Sequence, residues 1–91
     1  MLTLKSHKQR KALGLSLNEM AVLVEIHKSI YYDPLKKPFA TISKSKLSDM
    51  LDLSQKSIFN ILNKLESMGY INRLDENGYI QITDKVYNTD Y

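Results

Sequence analysis

The chain has 91 residues, 13 of them Lys or Arg and 10 Asp or Glu, for a formal net charge of +3; 43% are hydrophobic and 25% charged, with three Gly, two Pro and no Cys. Such a mix describes one ordered domain and excludes collagen-like and disordered classes. A domain of this size buries roughly 60–65% of the surface its unfolded chain exposes, which leaves no room for a deep substrate cavity beside the core. The missing cysteines exclude a disulfide framework, a thiol nucleophile and a thiolate metal site. The longest apolar run, Met20 to Val24, is far shorter than the roughly 20 residues of a membrane span, and the basic residues 1–15 lack the apolar stretch of a secretory signal. A cytoplasmic protein is expected.

The charge is unevenly distributed. Residues 1–64 carry a balance of +6 and residues 65–91 a balance of −3. A basic front joined to an acidic tail points to a polyanion meeting one face.

In chain order, residues 1–15 form a basic arm (Lys5, Lys8, Arg10, Lys11) without apolar period, where little fixed structure is expected. Ser16-Leu-Asn-Glu19 is a capping box and opens a helix over residues 17–31. Asn18, Glu25 and Ser29 fall on one face, which Val22 interrupts, while Met20, Leu23, Val24, Ile26 and Ile30 cover the rest. A helix apolar around more than half its girth is either deeply sandwiched or part of a subunit interface. Asp33-Pro34 ends it.

Phe39-Ala-Thr-Ile42 reads as one brief strand. Ser43 caps a second helix, residues 44–51, whose Leu47, Met50 and Leu51 share a face. After the tight turn Asp52-Leu53-Ser54, Ser54 caps a third helix, residues 55–68, with the stripe Ile58, Ile61, Leu62, Leu65 and Met68 and a terminal Gly69. Residues 70–74 and 79–83 read as strands around Asn77-Gly78, a strong hairpin signal. The domain thus spans residues 16–83, and residues 84–91 are a tail with Val86, Tyr87 and Tyr91. The fold class is mainly α with a small β-hairpin, an α+β arrangement.

Catalysis finds little support. His7 and His27 have no second ligand at metal spacing, and Asp75-Glu-Asn-Gly78 lacks the remaining ligands of a calcium loop. With glycine only at positions 14, 69 and 78, there is no phosphate-cradling loop. No enzyme activity, metal or cofactor is expected.

Residues 42–71, with Leu47 and Leu51 on one short helix, Leu53-Ser54 in the turn and Lys64-Leu-Glu-Ser-Met-Gly-Tyr-Ile71 closing the next, resemble a winged helix-turn-helix DNA-binding domain. The segment is similar to the core of MarR-type regulators. With Leu13-Gly-Leu-Ser-Leu-Asn-Glu-Met-Ala-Val-Leu23 before it, the chain also resembles the N-terminal domain of phage and plasmid replication-initiation proteins. The likeness spans residues 12–83. It implies sequence-specific binding of double-stranded DNA in replication initiation or transcription regulation, by a stand-alone protein or a domain of a longer one.

In that fold the third helix enters the major groove. Its outward positions are Gln55, Lys56, Ser57, Phe59, Asn60, Asn63 and Lys64, with no acidic residue before Glu66. Gln55, Lys56, Ser57 and Asn60 are the candidates for base contact, since Asn and Gln pair with adenine and Lys donates to guanine. Ser43, Lys44, Lys46, Lys64 and Arg73 are the candidates for phosphate contact, with Lys36 and Lys37 on the preceding loop. Lysines at a helix N-terminus are otherwise unfavourable, so an anion is the better explanation for Lys44 and Lys46. Four to six neutralised phosphates correspond to a log–log salt slope of about −4 to −5. Phe59 reaches a thymine methyl group if it points outward, and is expected instead to pack on the preceding helix.

The hairpin tip, Asp75-Glu-Asn-Gly78, departs from the basic wings of the family and is expected to stay off the DNA, leaving Arg73 as the basic wing residue. The arm would compensate along the backbone or in a minor groove. A homodimer through the helix 17–31 or the tail would read a two-fold site. The other class is a winged-helix protein–protein interaction module without DNA binding, which the acidic hairpin and apolar first helix suit.

Overall fold

A computed structural model describes residues 7–35, 37–74 and 79–87. Among the described residues, five helices and one antiparallel strand pair follow in the order α1 (His7–Leu13), α2 (Leu17–Tyr31), α3 (Lys44–Leu51), α4 (Gln55–Ser67), β1 (Ile71–Arg73), β2 (Ile80–Ile82) and α5 (Asp84–Tyr87). The fold is mainly helical with a small antiparallel sheet.

Side-chain caps set the helix boundaries. At α2 the Ser16 hydroxyl accepts from the Glu19 N–H at 3.3 Å while the Glu19 carboxylate accepts from the Ser16 N–H at 2.8 Å. The Ser43 hydroxyl caps α3 by accepting from the Lys46 N–H, and the Ser54 hydroxyl caps α4 by accepting from the Ser57 N–H, both at 3.1 Å. Helix α4 stops at Gly69, whose φ of 79° lets the Gly69 and Tyr70 N–H groups return to the carbonyls of Glu66 and Leu65, both at 3.0 Å. Asp52 does the same work for α3 at φ 53°, and the Leu53 N–H reaches the Ser48 carbonyl at 3.2 Å. The left-handed residue turns the chain sharply between α3 and α4, which pack against each other.

Helix α2 runs through the middle. Met20, Val22, Leu23, Val24 and Ile26 are all buried. They meet Leu47 of α3, Ile58, Leu62 and Leu65 of α4, and the sheet residues Ile71, Ile80 and Ile82 in one core. Its broad apolar girth is therefore covered within the chain, not by a second subunit. Strands β1 and β2 pair with Ile71 opposite Ile82 and Arg73 opposite Ile80.

Several expectations need correction. Residues 39–42 do not form a strand of their own. Ala40 alone bridges β2, exchanging two backbone hydrogen bonds with Ile80 at 2.7 and 3.0 Å. Met50 does not share the buried face of α3 with Leu47 but is half exposed. The basic arm is helical from His7, and Leu13 and Leu15 are buried in the core. The Arg10 guanidinium donates to the Leu15 carbonyl at 3.0 Å and the Tyr70 hydroxyl to the Leu13 carbonyl at 2.6 Å. Val86 of α5 is also fully buried. His27 is buried, with Nδ1 2.9 Å from the Tyr87 hydroxyl. Residues 1–6, Lys36, the hairpin tip 75–78 and residues 88–91 lie outside the described residues.

Candidate nucleic-acid interface

The apolar stripe of α4 decides which of its side chains face outward. With Ile58, Leu62 and Leu65 in the core, Gln55, Lys56, Phe59 and Asn60 are exposed and Ser57 is half-buried. The four candidates for base contact therefore lie together on the first turn and a half of one helix. Ser57 is the most constrained of them, because its hydroxyl already accepts from the Ser54 hydroxyl at 2.9 Å, leaving its own proton and one lone pair.

The five candidates for phosphate contact divide into two groups. Ser43, Lys44 and Lys46 sit at the start of α3 and are all exposed. The Ser43 hydroxyl, having accepted from Lys46, still has a proton to donate. The Lys44 ammonium lies 5.0 Å from the centroid of the Phe59 ring, which holds it beside the outward face of α4. Neither Lys44, Lys46 nor Lys56 forms an ion pair among the described residues.

Lys64 and Arg73 differ. The Lys64 ammonium is 2.8 Å from the carboxylate of Glu19, a side chain only 11% exposed. Burial works to raise the Glu19 pKa, but the hydrogen bonds from Lys64 and from the Ser16 N–H and hydroxyl, with the Lys64 charge, outweigh it. The carboxyl is held below its ordinary range. Arg73 donates through Nη2 to Glu66 at 2.8 Å and to the Asn63 side-chain oxygen, and through its backbone N–H to Glu66 at 3.1 Å. The side-chain and backbone hydrogen bonds from Arg73 hold the Glu66 carboxyl below its ordinary range. Both cations expected on phosphate are thus matched by carboxylates of this chain. The charge balance in the sequence could not reveal this, because Glu19 lies 45 positions from Lys64 along the chain.

Phe59 also departs from expectation. It is 44% exposed rather than packed into α3; what covers it from α3 is the Lys44 side chain, and the Arg73 guanidinium carbon is 6.0 Å from its centroid. The apolar period had already left it outside the stripe.

A second cluster lies at the far end of α2. The His27 ring lies against those of Tyr31 and Tyr87, each centroid 5.7 Å away, and its buried Nε2 has no hydrogen-bond partner among the described residues. Burial pushes its pKa below the ordinary imidazole range. Tyr31 and Tyr87, and with them Tyr32 and Leu35, are exposed. Among the described residues no three His, Asp or Glu side chains gather in a group able to hold a metal ion, and no helix is long and apolar enough to cross a membrane. Comparison with protein-family models, with curated proteins and with solved structures returns no match.

Proposed function

We propose that this chain is a winged helix-turn-helix protein that binds double-stranded DNA sequence-specifically, acting in the cytoplasm in replication initiation or transcription regulation. The observation that carries the reading is the outward face of α4. It begins with exposed Gln55, Lys56 and Asn60, contains no carboxylate before Glu66, and is flanked by the unpaired Lys44 and Lys46 of α3. Two helices joined by a three-residue turn, followed by a hairpin against which Ala40 bridges, support the winged arrangement. Helix α4 then lies in the major groove, with Gln55, Lys56, Ser57 and Asn60 at base edges and the start of α3 on the backbone.

Because Lys64 and Arg73 are matched internally, the candidate cations left for the duplex reduce to Lys44 and Lys46 at the backbone and Lys56 at the base edges, with the Ser43 hydroxyl beside them. The log–log salt slope becomes about −3, shallower than the −4 to −5 of the full set. The test is selection from a randomised duplex pool, followed by salt titration on the enriched sequence. An enriched motif with that slope supports the reading; no retention at about 0.15 M salt sinks it.

The exposed Tyr31, Tyr32, Leu35 and Tyr87 favour a second reading, a protein-interaction module. It predicts that Tyr32→Ser abolishes capture of a protein partner, while the pool selection yields no motif.

A further inference from the structure

Phe59 is the one apolar side chain on the part of α4 that faces outward between Gln55 and Asn60. Of its helical neighbours at three and four positions, Leu62 is turned into the core, and Gln55, Lys56 and Asn63 carry hydrogen-bonding groups. The ring keeps 44% of its surface open although two cations lean over it. When such a face enters a major groove, the ring loses its water. The lysine and amide neighbours can replace their own water with base-edge donors and acceptors, but the ring needs an apolar surface. The base edges of that groove offer one apolar group, the C5-methyl of thymine.

We infer that Phe59 is a specificity-determining residue that reads a thymine methyl group in the bound duplex. The inference rests on the DNA-binding reading above and adds to it the identity of one base. The two cations strengthen the assignment. The Lys44 ammonium, 5.0 Å from the ring, is also the group placed to reach the adjacent phosphate. Backbone contact and methyl contact are therefore made from one joint element, and the ring cannot swing away from the groove without releasing Lys44 from its face.

The test uses the full chain and the duplex enriched from the pool. Each thymine is replaced singly by deoxyuridine, which preserves base pairing and removes only the methyl group. One thymine, or two neighbouring ones, should weaken binding roughly fourfold on replacement, the effect of about one buried methylene-sized group. The remaining positions should be unaffected. Phe59→Ala should bind thymine and uracil equally at the sensitive position. Three results overturn the inference while leaving DNA binding intact: a motif without thymine, a motif indifferent to every uracil, or a uracil penalty that persists in Phe59→Ala. A uniform loss of affinity in Phe59→Ala with no uracil effect in the wild type would assign the ring to positioning Lys44 alone. A pool that yields no motif removes the DNA reading and this inference with it. The wild-type series needs no substituted protein, so it stands even if a variant folds poorly.

Discussion

The start of α3 and the end of α4 carry similar side chains in opposite circumstances. At the start of α3, Lys44 and Lys46 are exposed and form no ion pair among the described residues. At the end of α4 and on β1, Lys64 and Arg73 lie against Glu19 and Glu66 at 2.8 Å each. One region leaves its positive charge exposed to solvent; the other uses it to join elements of the fold. Counting basic residues cannot separate the two cases, and only the first kind changes affinity for a polyanion.

The largest expected difference is in salt dependence. The triple substitution Lys44→Ala, Lys46→Ala and Lys56→Ala should flatten the log–log slope by about 3, whereas Lys64→Ala should leave it within about 0.5 of wild type. Equal changes in a titration by fluorescence anisotropy would erase the distinction between the regions. Next in size is base discrimination. Asn60→Ala should relax preference at one base pair, a loss of about 1–3 kcal/mol, while Lys44→Ala weakens all sequences alike; competition between the enriched duplex and single-base variants measures both.

Stability should show the reverse order. Lys64→Ala leaves the Glu19 carboxylate without its ammonium partner in a mostly buried place and should cost about 1–2 kcal/mol in urea denaturation. Lys44→Ala, at an exposed site, should stay within about 0.5 kcal/mol. A Lys64→Ala variant as stable as wild type would mean that the pair with Glu19 contributes nothing.

The internal pairs and the histidine also give an acid dependence that the open lysines do not. Glu19 has its folded-state pKa below the ordinary carboxylate value, so its contribution is whole above about pH 4.5 and is lost as pH falls through the lowered value. His27 is likewise depressed by burial. The unfolded chain takes up its proton first, near pH 6.5, so stability declines from there downward until the folded-state pKa is passed. Thermal unfolding between pH 8 and pH 5 should show this decline in wild type and a flatter profile in His27→Gln. A further effect is expected at the cap of α4. Ser54→Ala should cost about 1 kcal/mol, visible as a lower urea midpoint at unchanged m-value.

Much of this architecture is legible in the residues themselves. Ser16 with Glu19, Ser43, Ser54 and Gly69 state where the three main helices begin and where α4 ends, because capping is a local hydrogen-bond problem solved within a few positions. The stripe of α4 is legible for the same reason, and with it the exposed row that includes Gln55, Lys56 and Asn60. Helix α1 is not, since it is held by Leu13, Leu15 and a bond from Tyr70 rather than by an apolar face. The partners of Lys64 and His27 are equally hidden, because Glu19 and Tyr87 reach them only through the tertiary fold. Phe59 stands between: its outward position follows from the period, but the Lys44 ammonium that covers it belongs to another helix.

The hydroxyl of Tyr70 on the Leu13 carbonyl joins residues 57 positions apart, and the contact between His27 and Tyr87 spans 60. Both terminal segments are thus secured by contacts of high sequence separation, while α3 and α4 meet across three residues. During synthesis at about 5–20 residues per second, α1 waits roughly 3–11 s before the tyrosine that anchors it exists. The helix pair can form from nearby contacts well before either end closes over it, so folding should begin at the proposed reading surface and finish at the termini.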